Sequence, residues 1–220
     1  NEHNPKEMKE AYIIDGIRTP IGNFGGTLSA VRTDDLGALV IKELMSRNAD
    51  LDPAAIDEVI MGCVLPAGLK QAPARQAAIS ADLALSTVCT TINKVCGSGM
   101  KAAMQAHDAL VAGSIDVALA GGMESMSNAP YILPKARAGM RMGHGQVLDH
   151  MMLDGLENAY DGISMGCFAQ DTADETGFTR EEMDEFEEEC LADVSNADLG
   201  RLAVTCVTGQ GEGISAARKG

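Results

Sequence analysis

The chain reads as an α/β protein built on a mixed, mostly parallel sheet with helices covering its faces. Two observations predict this. Up to Gly122, short apolar runs bounded by turn residues alternate with helix-patterned segments in the order β-α-β-α-β-α-β, the succession that gives parallel strands joined by crossover helices. The chain has 220 residues, 45% of them hydrophobic, enough apolar surface for one large domain or two small ones.

Taken in order, residues 11–15 form a short buried-strand pattern ended by Gly16. Residues 34–45 carry Leu36, Leu39, Val40 and Leu44 at helical spacing after an Asp cap. A second strand pattern covers 57–64 and closes near Pro66. Residues 72–83 predict a helix with Pro73 in its first turn, and Ala77, Ala78 and Ala81 permit close packing. Residues 88–95 are extended, 98–112 are helical and closed by Gly113, and 116–120 form a strand stopped by Gly121 and Gly122.

The character then changes. Residues 125–162 are rich in Met, Gly, Pro and basic side chains, with Lys135, Arg137 and Arg141 close together, and read as an inserted loop region or lid. Residues 179–193 predict a helix in which Thr179 and Glu182 have capping-box spacing. The tail returns to a strand pattern at 202–207, followed by a Gly-rich run. The pattern divides into an α/β domain over 10–124, an inserted loop domain over 125–186 and a tail over 187–220.

Charge and cysteine usage narrow the function classes. There are 32 Asp and Glu against 17 Lys and Arg, a net charge of −15, which repels a phosphate backbone and argues against nucleic acid as partner. No run approaches the roughly 18 uninterrupted apolar residues needed to cross a bilayer, and residues 1–10 lack the apolar core of a signal peptide. The reading is a cytoplasmic protein with no membrane partner. Six cysteines, at 63, 89, 96, 167, 190 and 206, include no CxxC pair and read as free thiols. No metal-ligand spacing stands out.

The chemistry centres on Asn93-Lys94-Val95-Cys96-Gly97-Ser98-Gly99-Met100. A strand runs into a cysteine, small residues open the turn, and a helix begins at once. Such a thiol lies where helix-start N–H groups stabilise negative charge, which is how a protein prepares a nucleophile. The bland alternative, an inert cysteine in a tight turn, has about even weight on these residues alone.

Residues 92–100 closely resemble the acyl-binding cysteine motif of thiolases. Arg18-Thr19-Pro20-Ile21-Gly22 with Phe24-Gly25-Gly26 is similar to that family's N-terminal signature. So are Met61-Gly62-Cys63-Val64-Leu65 with Ala74-Arg75-Gln76-Ala77-Ala78, and Gly121-Gly122-Met123-Glu124-Ser125-Met126-Ser127, to the segments that follow. The resemblance runs almost unbroken from Glu10 to about Phe186. It implies a thiolase-like layered fold in which Cys96 attacks an acyl-CoA thioester, takes the acyl group and releases coenzyme A. A second acyl-CoA, deprotonated at its α-carbon, then attacks to give a β-ketoacyl-CoA, and the reverse is thiolytic cleavage. The Cys96 backbone N–H is expected to help form an oxyanion hole. Leu156 and Ser164-Met165-Gly166 match the stretch lining the pantetheine and acyl pocket, although core filling by Met165 has equal weight. Lys135, Arg137 and Arg141 could meet coenzyme A phosphates or form a solvated loop.

The departures matter as much. Family members are longer, and their second half supplies an Asn in an Asn-Glu-Ala-Phe motif and a His in a Gly-His-Pro motif, neither of which is matched here. His3, His107, His144 and His150 fall outside such motifs and read as surface or packing residues. The run from Thr205 to Ile214 faintly resembles the second-cysteine motif, with spacing off by one, which would make Cys206 the acid/base cysteine. A Gly-rich terminal strand and turn is the slightly favoured alternative.

Two classes therefore stand. One is an acetyl-CoA C-acetyltransferase of lipid metabolism, condensing two acetyl-CoA or cleaving short β-ketoacyl-CoA. The other is a non-catalytic thiolase fragment that folds, oligomerises or binds coenzyme A without turnover. A β-ketoacyl-carrier-protein synthase fits the cysteine context less well. The Leu65–Gly68 and Pro73–Gln76 regions resemble the biosynthetic branch, with Ser164 standing where many short-chain members carry His. The expected partners are acyl-CoA as substrate, no tightly bound cofactor, and a second copy of the chain in a homodimer or homotetramer.

Overall fold

The computed structural model describes residues 10–196 and 204–208, with side chains described over 10–188. The alternation seen in the sequence is realised as Tyr12–Ile17 (β1), Thr33–Arg47 (α1), Glu58–Gly62 (β2), Pro73–Ser80 (α2), Val88–Ile92 (β3), Ser98–Ala112 (α3) and Val117–Gly122 (β4). After β4 come a two-stranded ribbon of Tyr131–Ile132 (β5) and Leu148–Asp149 (β6), then Met165–Thr176 (α4), Arg180–Asn196 (α5) and Val204–Thr208 (β7).

The main sheet has the order β1-β7-β4-β2-β3. Strand β2 runs parallel to both β3 and β4, while β7 runs antiparallel to β4 on one side and β1 on the other. The tail thus supplies a strand to the sheet of the first unit, between elements that the sequence places far from it.

Alternation along the central strands sorts side chains to two faces. Val59 and Met61 of β2 with Val117 and Leu119 of β4 turn towards α1 and α2, and join Ile41, Leu44, Ala77 and Ala78 in the larger core cluster. Ile60, Ala118 and Ala120 turn the other way and meet Ala102 and Ala106 of α3. The expected close approach of α2 is present: a Cβ built on Gly37 of α1 would lie 3.2 Å from the Ala77 methyl.

Several boundaries differ from the sequence reading, each for a local reason. Strand β1 continues through Gly16 to Ile17, bulging between Ile13 and Asp15. Helix α1 is preceded by Arg32, whose side chain makes no cap; Asp34 sits inside the first turn, paired with the Arg32 guanidinium at 3.0 Å. Its buried face is Ala38, Val40, Ile41 and Leu44, and Leu39 is exposed. Gly121 and Gly122 continue β4 rather than stopping it, paired with Met61 and Gly62. The sequence pattern does not predict helix α4, because only Ala173 on it is buried and no apolar stripe marks it. The capping box on α5 is formed: Thr179 N–H donates to the Glu182 carboxylate at 2.8 Å, and Glu182 N–H donates to Thr179 Oγ1 at 3.2 Å.

Candidate active site

The carboxyl ends of β2, β3 and β4 converge on the start of α3, and three glycines let them do so. A Cβ on Gly62 would lie 2.6 Å from the Ser98 carbonyl carbon, and one on Gly122 would lie 3.3 Å from the Gly99 Cα. At Gly62 only hydrogen leaves room for the first turn of α3, while at Gly122 and Gly99 a side chain would fit only tightly against the facing backbone. Residues 93–98 turn the chain sharply from β3 into that helix.

The turn places Val95 at φ +47°, a left-handed conformation that costs a β-branched residue and persists only where its surroundings hold it. Two side chains do so. Asn93 Oδ1 accepts from Val95 N–H at 2.9 Å. Ser98 is buried, its Oγ accepts from Lys94 N–H at 2.8 Å, and it donates to the Val95 carbonyl at 2.6 Å. Cys96 follows as an exposed free thiol just before the helix.

Cys96 opens onto a cavity of about 370 Å3 whose walls include Gly62, Val64, Leu65, Glu124 and Leu156. The lining is mainly apolar, with one carboxylate. Glu124 follows β4, and its oxygens accept from Val64 N–H at 2.7 Å and Leu65 N–H at 3.3 Å. Burial pushes the Glu124 carboxyl above its ordinary range against the lowering pull of those two amides, and the His150 ring lowers it slightly. The neighbouring thiol of Cys63 donates to Glu124 at 3.7 Å. Burial first, then the carboxylate's charge, push it up to about 12, so it stays protonated.

Among the expected site residues, Cys96 and Leu156 meet in this cavity. Met165 lies at the start of α4, 43% exposed, and does not line it. Ser164 caps α4, accepting from Gly166 N–H. The backbone of Cys206 lies mid-strand in β7, opposite Leu119 and Asp15; its side chain, and that of Cys190, lie outside the described residues, as does His3. Cys63, Cys89, Cys96 and Cys167 are free thiols. Lys135 and His144 line a separate cavity near 133–146. His107 is exposed beside Asp108, and His150 is buried with Nδ1 2.5 Å from Asp154.

The sequence reading did not single out Glu124, Asn93 or Ser98 as functional, although all three stand in the quoted motifs. A carboxylate placed directly after the apolar run 117–123 was the available signal for Glu124, since such a group is seldom drawn out of water without a purpose.

Comparison with known proteins brings these features together. Residues 11–189 match the family model for the thiolase N-terminal domain. An acetyl-CoA acetyltransferase from Cupriavidus necator is 48% identical over 179 residues, 81% of this chain and 45% of that protein. One from Escherichia coli is 51% identical over 180 residues, again 81% of this chain and 45% of that protein. The chain thus spans less than half the length of these relatives. A thiolase from Ascaris suum, crystallised in complex with coenzyme A, superposes with a TM-score of 0.83 at 30% identity, covering 96% of this chain and 68% of that one.

Proposed function

The chain belongs to the thiolase family, and on that premise we propose that it carries the acyl-accepting half of an acetyl-CoA C-acetyltransferase, with Cys96 as the nucleophile. The observation that carries this reading is the strand-to-helix elbow that exposes Cys96 to an apolar cavity at the start of α3. The proposed step has Cys96 Sγ give up its proton and attack the thioester carbonyl carbon, the bond from that carbon to the coenzyme A sulfur breaks, and the departing sulfur takes up a proton and leaves as the coenzyme A thiol. The acetyl group stays on Cys96. The Gly97 and Ser98 N–H groups are held by the Lys94 and Val95 carbonyls, so the Cys96 backbone N–H is the donor proposed for the charge that develops on the carbonyl oxygen, and the apolar walls at Val64, Leu65 and Leu156 suit a short acyl group.

Acetyl-CoA is the proposed substrate because the relatives bear the name acetyl-CoA acetyltransferase. The second half-reaction, carbon–carbon bond formation to a β-ketoacyl-CoA or its thiolytic reverse, needs acid/base groups that the sequence supplies only through Cys206, a role we keep as a proposal. Met165, Lys135, Arg137 and Arg141 belong to the same proposal, as contacts of the acyl or coenzyme A portions, and so does assembly as a homodimer or homotetramer. No helix among the described residues is long and apolar enough to cross a membrane.

The test is the intact mass of the purified chain before and after mixing with acetyl-CoA, beside Cys96→Ala. A gain of one acetyl group that disappears in Cys96→Ala is the expected result. A folded chain that gains nothing overturns the reading in favour of a thiolase fold without acyl transfer.

A further inference from the structure

One line of hydrogen bonds leads from a half-buried carboxylate to the nucleophile's elbow. Glu124 takes the N–H of Val64 at 2.7 Å and of Leu65 at 3.3 Å. The Val64 carbonyl accepts from Asn93 Nδ2 at 3.3 Å, and Asn93 Oδ1 accepts from Val95 N–H at 2.9 Å. Val95 is the residue held at φ +47°, and Cys96 comes next. Ser98 secures the same residue from the helix side. The elbow is thus gripped from two directions, and one of them ends on a single half-buried charge.

We propose that Glu124 is a positioning residue for Cys96, acting through Val64 and Asn93 to hold the left-handed Val95 that aims the thiol. This rests on Cys96 being the reactive thiol. The chemistry of the position calls for a carboxylate: two backbone N–H groups and the Cys63 thiol all donate to it, and only a group that accepts through both oxygens meets them all. A glutamine would turn an NH2 group towards one of these donors. Asn93 is equally constrained, since it donates with one atom and accepts with the other.

Protonation should loosen the grip, because a carboxylic acid keeps one good acceptor oxygen. Besides Val64 and Leu65 N–H, the groups acting on Glu124 are the Cys63 thiol, which stays protonated, and the His150 ring, itself paired with Asp154. Burial sets the proton uptake of Glu124 above the ordinary glutamate range.

The experiment is the rate of iodoacetamide alkylation of Cys96, read by peptide mass spectrometry across a pH series on the full chain. The exposed Cys167 serves as internal reference. Glu124→Gln and Asn93→Ala are each expected to lower the Cys96 to Cys167 rate ratio about tenfold, and the double variant to lower it no further than either alone. In the wild type the logarithm of the Cys96 rate should rise more steeply than one proton allows where Glu124 ionises, and Glu124→Gln should return it to the single-proton slope. Ratios within twofold of wild type, effects that multiply in the double variant, or a steep slope that survives in Glu124→Gln overturn the proposal. Should Glu124→Gln not fold, Asn93→Ala, on an exposed side chain, decides by the same ratio. Acetyl transfer is measured beside it: a wild type that takes no acetyl group sinks the functional reading, while the alkylation ratios still judge the positioning.

Discussion

The two faces of the main sheet are packed by different rules. Towards α1 and α2 the contacts are large and branched, with Ile41, Leu44, Met61, Val59 and Leu119 all fully buried. Towards α3 they are small, mostly alanines around Ile60, and at the carboxyl end they shrink to Gly62, Gly99 and Gly122. Bulk stabilises by removing apolar area from water. Small residues give up that gain so that a helix can come close enough to set its first turn on the strand ends. One face holds the fold together, and the other aims a thiol.

Substitutions can break this contrast or sharpen it. Leu44→Ala, on the bulky face, should destabilise the chain most, by about 3 kcal/mol in denaturant unfolding, while leaving the relative alkylation rate of Cys96 unchanged. Gly62→Ala, on the close-packed face, adds one methyl into backbone 2.6 Å away and should cost about 2 kcal/mol. Unlike Leu44→Ala it should also collapse Cys96 reactivity towards acetyl-CoA. If both variants lost reactivity in proportion to stability, the division of labour between the faces would be wrong.

Ser98→Ala removes the buried hydroxyl that bridges Lys94 and Val95 and should cost about 1 kcal/mol in unfolding, again with a reactivity loss out of proportion. A smaller effect is expected from Glu124. Its carboxyl has a raised folded-state pKa, so its favourable contribution is complete below the ordinary value of 4.5 and is lost as pH rises through the raised one. Unfolding curves of wild type and Glu124→Gln should therefore shift relative to each other as pH rises from that point, with the wild type losing ground. Ionised Glu124 thus weakens the fold slightly in the state that grips the elbow best. Smallest of all, Met104→Glu on the exposed side of α3, where Met104 is 51% accessible, should change stability by no more than about 0.5 kcal/mol.

These positions also show what the sequence could and could not say. The α3 boundaries were legible to the residue, because a Gly-Ser-Gly start and a Gly113 in the left-handed region at φ +73° are local signals. The strand-helix alternation, the capping box of α5 and the placing of Cys96 at a strand-to-helix turn were legible for the same reason. What escaped is non-local. Glu124 meets Val64 across some 60 residues of chain, and nothing in the local pattern of 121–127 announces that partner. Leu39 sits at a helical spacing that suits burial, yet α2 and the sheet cover the adjacent stripe instead. The antiparallel entry of β7 between β1 and β4 has no local signature either, since a strand's neighbours are chosen by the whole sheet.

That entry has a consequence in time. Among the described residues β1 pairs with β7 alone, Ile17 with Val204 and Tyr12 with Thr208, so that partner lies roughly 190 positions downstream. A ribosome adding about 5 to 20 residues per second delivers that partner on the order of ten seconds or more after β1 emerges. During that interval β2, β3 and β4 can already zip together with their helices, whereas β1 waits with its backbone groups unpaired. Strand β1 is thus among the last of the described strands to find its place, and its edge stays open to water until β7 has emerged.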